Sequence, residues 1–462
     1  VTQIDLSESM TRVEKRAASG LAAIFGLRML GMFLILPVFA LYAEHLPGGN
    51  NHTLVGLTLG MYGLTQALLM IPFGMASDRI GRKKVIIFGL ILFAIGSFVA
   101  AAAPNIYWTI AGRAIQGAGA ISAAITAMLA DLTREEHRTK AMALIGSTIG
   151  IVFAVSMVAG PALNHLIGVP GIFALTGVLA LGAIWVVKSW VPDPLTSHFH
   201  ADAQANPARL KDVLHSGQLL RLDFGIFALH AAQMAMFVVV PVALKNSGLP
   251  PAHHWMVYLP VLLGSFLLIV PAIIYGEKYG KLKPVFIGAV ALMLLAQLGL
   301  AFGIGHFWGI VSALFFYFAA FNLLEASLPS LISKLAPVSA KGTAMGVYNT
   351  AQALGLFFGG VFGGWLAQHV GFYAVFLFCV VLMAIWLAAS VSMTAPPAIK
   401  TRMFRVGTMP EDRAMRLKIQ LAGVAGVVEA VVLAEEGVAM LKVSLQGWDE
   451  AAARILLEAT GT

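Results

Sequence analysis

Charge is what this chain has least of. Of its 462 residues, 11% are charged and 59% are hydrophobic, whereas a soluble domain carries about 25% charged residues. So few charges cannot clothe a water-facing surface of this size. That excludes a soluble enzyme, a disordered regulator or a nucleic-acid-binding module as the main body. Cysteine is nearly absent. The single Cys379 excludes a disulfide framework and any cysteine-based metal cluster. No P-loop occurs and no nucleophile–His–acid set stands out, so ATP driving, catalysis, a cofactor and a metal are all not expected. What is abundant is glycine, 47 residues, which suits membrane helices whose backbones approach closely. The net charge of +8 reads as basic residues kept on one side of a bilayer, not as a nucleic-acid footprint.

An apolar run of about 20 residues crosses a bilayer as a helix. Twelve such runs occur, at 20–44, 53–77, 84–103, 105–130, 139–163, 171–190, 221–245, 253–276, 284–304, 308–334, 340–366 and 372–393. They are continuous rather than alternating, which argues against a β-barrel. The basic clusters Arg12/Lys15/Arg16, Arg79/Arg82/Lys83/Lys84, Arg134/Arg138/Lys140, Lys278/Lys281/Lys283 and Lys334/Lys341 fall on one side, and Lys245 alone on the other. The basic side is expected in the cytoplasm, with both termini there. A polar connector divides the chain. The expected units are a six-helix bundle over 1–190, a cytoplasmic linker over 191–220, a second six-helix bundle over 221–395 and a soluble domain over 401–462. In the linker, His198 and His200 read as a solvated pair, and a short surface helix is expected near 208–214.

The loop after the second span reads Gly74-x3-Asp78-Arg79-x-Gly81-Arg82-Lys83, and the loop after the eighth reads Glu277-Lys278-Tyr279-Gly280-Lys281-Leu282-Lys283. Acid, base, glycine and later base coincide at equivalent places in the two halves. Such duplication is how transporter halves are built. The first of these loops resembles the hallmark between helices 2 and 3 of the major facilitator superfamily. Arg113-x2-Gln116-Gly117-x-Gly119 resembles a second signature of that superfamily. Gly146, Gly150 and Gly160-Pro161 resemble a third, seen in its proton-driven drug antiporters, with Ala162-Leu163-Asn164 in place of the usual small residues. The resemblance implies an all-α membrane fold of twelve helices in two pseudo-symmetric halves, and a transporter working by alternating access. It also implies that Gly74, Asp78, Arg79, Gly81, Arg82 and Asp131 form a conformational switch. In it Asp78 faces the start of helix 11, and Arg82 pairs with Asp131. For Arg113 the resemblance implies a link to proton coupling.

Ionisable groups inside the spans are informative because each costs at least about 2.5–3.5 kcal/mol in hydrocarbon unless it is paired or wet. Arg28, Arg113, His230 and Glu325 are the candidates for proton coupling or for lining a cavity. Asn322 precedes Glu325 by one turn and shares its face. Gln116, Tyr348 and Gln352 are candidate lining groups, along with Tyr62, Gln66, Gln233 and Asn349. A polar packing contact is the plain alternative for each. Arg28 replaces the Asp or Asn typical of drug antiporters, which implies a less cationic substrate than theirs. Gly150, Gly160 and Pro161 are expected to pack helices. Gly355, Gly359 and Gly363 form a smooth strip suited to sliding against a neighbour.

After Pro396-Pro397 the composition turns polar. Residues 401–462 hold seven basic residues (Arg402, Arg405, Arg413, Arg416, Lys418, Lys442 and Arg454), read as surface groups, against eight acids. The pattern predicts strand 403–406, helix 410–421, strand 427–434, strand 438–444 and helix 448–459, most of a ferredoxin-like α+β unit. Leu421-x-Gly423-Val424-x-Gly426-Val427 resembles small heavy-metal-associated domains, but the tail has no Cys for their metal pair. Regulation or self-association is the expected role of this domain. The whole reads as a cell inner membrane protein, its partners lipid, protons and a small molecule moved outward. A metabolite importer or uniporter of the same fold, and a membrane sensor signalling through the tail, stay open.

Overall fold

The computed structural model describes residues 10–193, 209–279, 281–337, 340–394, 399–434, 437–444 and 447–458. The expected His198/His200 pair lies outside them. The crossing helices are α1 (Arg12–Phe33), α2 (His52–Ile80), α3 (Arg82–Ala101), α4 (Ile106–Leu132), α5 and α6 (together Glu135–Ser189), α7 (Gly217–Asn246), α8 (Trp255–Lys278), α9 (Leu282–Gly303), α10 (Phe307–Leu335), α11 (Lys341–His369) and α12 (Phe372–Val391). Ten described helical stretches are long and apolar enough to cross a membrane, and one of them, Lys140–Ser189, is 50 residues long. That stretch crosses twice, and α1 adds the remaining span. Between α5 and α6 the chain turns at Gly168, whose φ of 68° lies in the left-handed region that favours glycine. The expected fold class, two six-helix halves followed by a small α+β domain, is the fold observed.

Two helices depart from the expected runs for local reasons. α1 starts at Arg12 rather than near 20, because Thr11 and Glu14 form a reciprocal capping box there. Its apolar run then breaks after Phe33 and resumes as the short helix Phe39–Ala43, past Pro37. α4 is interrupted between Ala118 and Ser122. There Gly117 lies against the Tyr62 carbonyl of α2, and Gly119 against the Gly89 carbonyl of α3, an approach any side chain would block.

α11 makes the most extensive contact between the halves. It packs along α2 of the first half and along α7 of its own half. The glycine strip divides between these tasks. Gly355, Gly359 and Gly363 lie on Phe227, Ala231 and Ala235 of α7, within one half. This strip therefore packs within the second half and not across the contact between halves. The contact between halves uses the adjacent face instead: Gly360 and Gly364 meet Gly56 and His52 of α2, and Gly60 of α2 meets Phe357. Two polar bonds join the halves at the same end. The Lys245 ammonium pairs with Glu44 at 2.5 Å, and the His52 amide donates to Gln368 at 2.8 Å. This is called the far end below. The opposite end, bearing Arg79 to Lys84, is the basic end. Gly160 packs on the Leu34 carbonyl, whereas Gly146 and Gly150 face open space in this state. Gly150 thus makes none of the packing contact expected of it here.

The small domain comprises β1 (Ile399–Arg405), α13 (Glu411–Ala422), β2 (Val427–Leu433), β3 (Val438–Ser444) and α14 (Glu450–Glu458). The sheet order is β1-β3-β2, antiparallel throughout, which is the ferredoxin-like arrangement without its last strand among the described residues. One face packs on the helices through Phe404, Leu417, Leu421, Leu441 and Leu457. The other face carries Val438, Met440 and Lys442, all buried. Lys442 is not a surface group as expected. Its ammonium donates to the carbonyls of Lys334, at 3.3 Å, and Ala336, at the end of α10, and pairs with Glu429. A cation suits the negative end of that helix.

At the basic end Glu14, in the first turn of α1 and ahead of the apolar stretch, ties two helix starts together. It accepts from the Thr11 amide, and from the Arg134 amide and guanidinium, at 2.8–3.2 Å. Burial by itself would raise its pKa. The bonds from Arg134 and Thr11 outweigh that and hold it at about 2, against 4.5 normally. The unfolded chain therefore takes up this proton well before the folded one. The brace contributes fully above about 4.5 and is lost as the pH falls toward about 2. Glu14→Gln is expected to lower the melting temperature at neutral pH by several degrees. The gap to the unmodified protein should close through that acid window in a thermal scan. A gap that stays constant with pH contradicts the assignment.

Candidate functional site

Three groups of polar residues are assembled by the helices. The first is at the basic end. α2 ends in Asp78, and the chain turns at Gly81, whose φ of 103° favours glycine. α3 then starts with Arg82. The turn brings Arg82 back over its own loop, where it pairs with Asp78 and donates to the Ser77 hydroxyl at 2.8 Å. Its Nε donates to Asp131 of α4 at 3.1 Å, as the sequence suggested. Arg82 and Asp131 are buried, and Asp78 is half-exposed. Among the described residues Asp78 bonds to Arg82 and not to the start of α11, whose N-cap, Ala340, offers no side-chain cap. Gly74 packs on Ala123 of α4, and Arg79 is exposed.

The second group lies in the second half. His230 of α7 bonds through Nδ1 to the Ile226 carbonyl at 3.2 Å. A carbonyl only accepts, so Nδ1 carries the hydrogen and Nε2 is left as an acceptor. Gln352 of α11 fills it, its amide donating to Nε2 at 2.8 Å and to Glu325 of α10 at 3.4 Å. The other Glu325 oxygen stands 3.7 Å from His230 and has no hydrogen bond. One amide thus bridges a base and an acid, and Glu325 remains partly exposed, at 28%. Tyr348 is buried nearby, its hydroxyl unpartnered. Asn322 is not part of this group: it donates to Ser265 of α8. Phe321, whose ring lies tilted against His230, also meets Phe153 of α5, which in turn touches Phe33 of α1. Aromatic contacts therefore run from this group into the first half.

The third group lies in the first half. Arg28 of α1 donates to the Ser122 hydroxyl and the Gln66 amide oxygen, at 2.6 and 3.0 Å. Arg113 of α4 donates to Gln116 at 2.9 Å, and Gln116 in turn donates to Ser97. Both guanidiniums lie against the ring of Tyr62 from α2.

Asp223 of α7 was missed by the sequence reading. It is buried with both carboxylate oxygens unpartnered, seven residues before His230 and so on the same helical stripe. An acid inside the run 221–245 could have been selected by the rule that selected Arg28. Tyr348 of α11 feels the charges of both Asp223 and Glu325.

With this geometry in place, the comparisons decide the family. The profile described as Major Facilitator Superfamily matches residues 21–261 and 222–419. The chain belongs to the major facilitator superfamily. It is 43% identical over 436 residues to the inner membrane transport protein YajR of Escherichia coli (strain K12), covering 94% of this chain and 95% of that one. It is 29% identical over 358 residues to the multidrug resistance protein MdtH of Proteus mirabilis (strain HI4320), covering 73% and 84%. A solved bacterial homologue of the human lysosomal transporter Spinster, in an inward-facing and occupied conformation, superposes with a TM-score of 0.65. It is 14% identical and covers 83% of this chain and 97% of that one, a likeness of fold. The protein is therefore a membrane transporter of this superfamily.

The Arg82 triad is open to a direct test. Arg82→Gln removes the guanidinium that Asp78 and Asp131 share, a loss of about 3 kcal/mol by analogy with other broken buried pairs. A drop of several degrees in melting temperature is expected. Adding Asp131→Asn should recover most of it, since the two act as a unit. Additive losses contradict the pairing.

Proposed function

We propose that this transporter drives a small molecule outward across the cell inner membrane at the expense of a proton gradient. The observation that carries the reading is the Gln352 amide bridging His230 and Glu325, with Glu325 partly exposed. A carboxylate in such a site binds and releases a proton as access to water changes. Protonation removes its charge and weakens its hold on Gln352, whose amide then keeps His230 as its main partner. Asp223, on the same stripe toward the basic end, serves as a second carboxylate along the proton's route.

In this reading the basic end faces the cytoplasm, as the distribution of Lys and Arg supports. The first and second halves, over 1–190 and 221–395, rock against each other, and the α2–α11 contact at the far end is made in one state and broken in the other. Asp78, Arg79, Gly81, Arg82 and Asp131 set the balance between two states, each stabilised by different contacts. The seal of glycines and ion pair at the far end supports a state closed there. The similarity to YajR, an inner membrane transport protein, and to MdtH, a multidrug resistance protein, supports the location and the outward direction. The domain over 401–462 regulates rather than transports. Its buried Lys442, held by the end of α10, supports that role, because a moving α10 must either carry or release it.

The test is a flux assay in proteoliposomes. A mixture of dyes, antibiotics and metabolites is offered with an imposed pH gradient, and accumulation is read by mass spectrometry. At least one compound should accumulate against its gradient and lose that accumulation when a protonophore is added. Glu325→Gln should lower it at least tenfold. A chain ending at residue 400 should keep some flux. Transport indifferent to the pH gradient refutes proton coupling, and loss of all flux on removing 401–462 refutes the division of labour.

A further inference from the structure

The group in the first half has more positive charge than its surroundings account for. Arg28 and Arg113 are both fully buried, at 1% and 0% exposure. Their guanidinium carbons lie 5.5 and 4.8 Å from the centroid of the same Tyr62 ring. Every acceptor they have is neutral: Ser122, Gln66 and Gln116. The Arg28 Nε, the Arg113 Nε and Nη2, and the Tyr62 hydroxyl have no partner. Among the described residues, no carboxylate forms an ion pair with either arginine.

A guanidinium cannot shed its proton at working pH. Two of them in low dielectric, without a counter-charge, are costly. The ring face of Tyr62 returns only about 1–2 kcal/mol per cation. The unused N–H groups and the phenol hydroxyl supply what an oxyanion needs: fixed donors, two positive charges and little water. Forked guanidinium donors match a carboxylate or phosphate in shape as well as charge. The three residues come from α1, α2 and α4, so the arrangement of these donors changes whenever those helices shift.

We propose that Arg28, Arg113 and Tyr62 bind the acid group of the transported molecule, which is an organic oxyanion bearing a carboxylate or phosphate. This rests on the transport reading but not on its proton coupling. It accounts for an arginine at position 28, where a cationic substrate would be repelled. It also puts the anion in one half and the His230–Glu325 pair in the other, so that ligand and proton act on opposite sides of the moving contact.

The experiment reads binding by the full-length protein in detergent, without gradient or flux. Melting temperature is measured in sodium benzoate, sodium phosphate or sodium chloride at equal ionic strength, with benzamide as the neutral isostere of benzoate. Ligand binding to the folded state raises the melting temperature. Benzoate should raise it by a few degrees over chloride, and benzamide should not. Arg28→Gln and Arg113→Gln should each abolish the benzoate shift. Arg28→Lys, which keeps the charge and loses the fork, should retain a reduced shift and so separates a lost ligand from a lost fold. Benzoate exceeding phosphate identifies the ligand as an organic acid. Phosphate matching or exceeding benzoate supports the site and assigns it to a phosphate-bearing ligand. No shift with either anion, or a shift that survives both glutamine variants, overturns the site itself. Failure here leaves the gradient dependence of flux untouched, and failure of that dependence leaves this site standing.

Discussion

Hydrocarbon tolerates no bare charge, and that constraint organises the interior of this protein. Each ionisable side chain brought inside must be neutralised, bridged or matched by something that arrives later. Arg82 is neutralised by Asp78 and Asp131. Glu325 and His230 are bridged by the Gln352 amide. Arg28 and Arg113 have neutral acceptors and an aromatic face instead of an acid. These solutions differ in permanence. Arg82 has carboxylates on two sides, whereas the other two groups have unused bonding capacity. Incomplete groups of this kind are where a ligand or a proton has the most to gain by binding.

Helix packing sets where those groups meet. α11 presents one run of glycines to α7 and another to α2. The first fixes Gln352 against His230 inside one half. The second makes the joint between halves at the far end, reinforced by Lys245 with Glu44. One helix thus carries a residue of the polar cluster and also forms the contact surface between the halves. Under the transport reading, a change at Gln352 is transmitted through the same rigid element that contacts the other half.

Much of this was legible in the sequence, and the exceptions have physical causes. The crossings were legible because a chain with a dozen apolar runs of bilayer length has no stable home in water. The Arg82–Asp131 pair followed from the loop resemblance. The assignment of the glycines in α11 was not legible. A strip of small residues says that something comes close, but not which neighbour does. Lys442 was misread because a lysine in a strand ordinarily faces water. Only the docking of the sheet against the end of α10 gives its ammonium buried carbonyls to hold. Asp223 was within reach, since an acid in an apolar run is as informative as an arginine. The pairing of Arg28 with Arg113 over one ring needed the packing of α1, α2 and α4, which no spacing along the chain encodes.

The central claim is that the halves rock against each other, the far-end contact opening as the basic end closes. Spin labels can measure this directly after Cys379→Ala removes the native thiol. One pair, at His45 and Asn246, reports the far end. The other, at Ile80 and Ser392, reports the basic end, and all four positions are exposed. Distances are read by pulsed electron resonance across a pH series in lipid nanodiscs. The account predicts two populations whose balance shifts with pH, the far-end distance lengthening as the basic-end distance shortens. Distances that stay fixed across the series, or lengthen together at both ends, would contradict it.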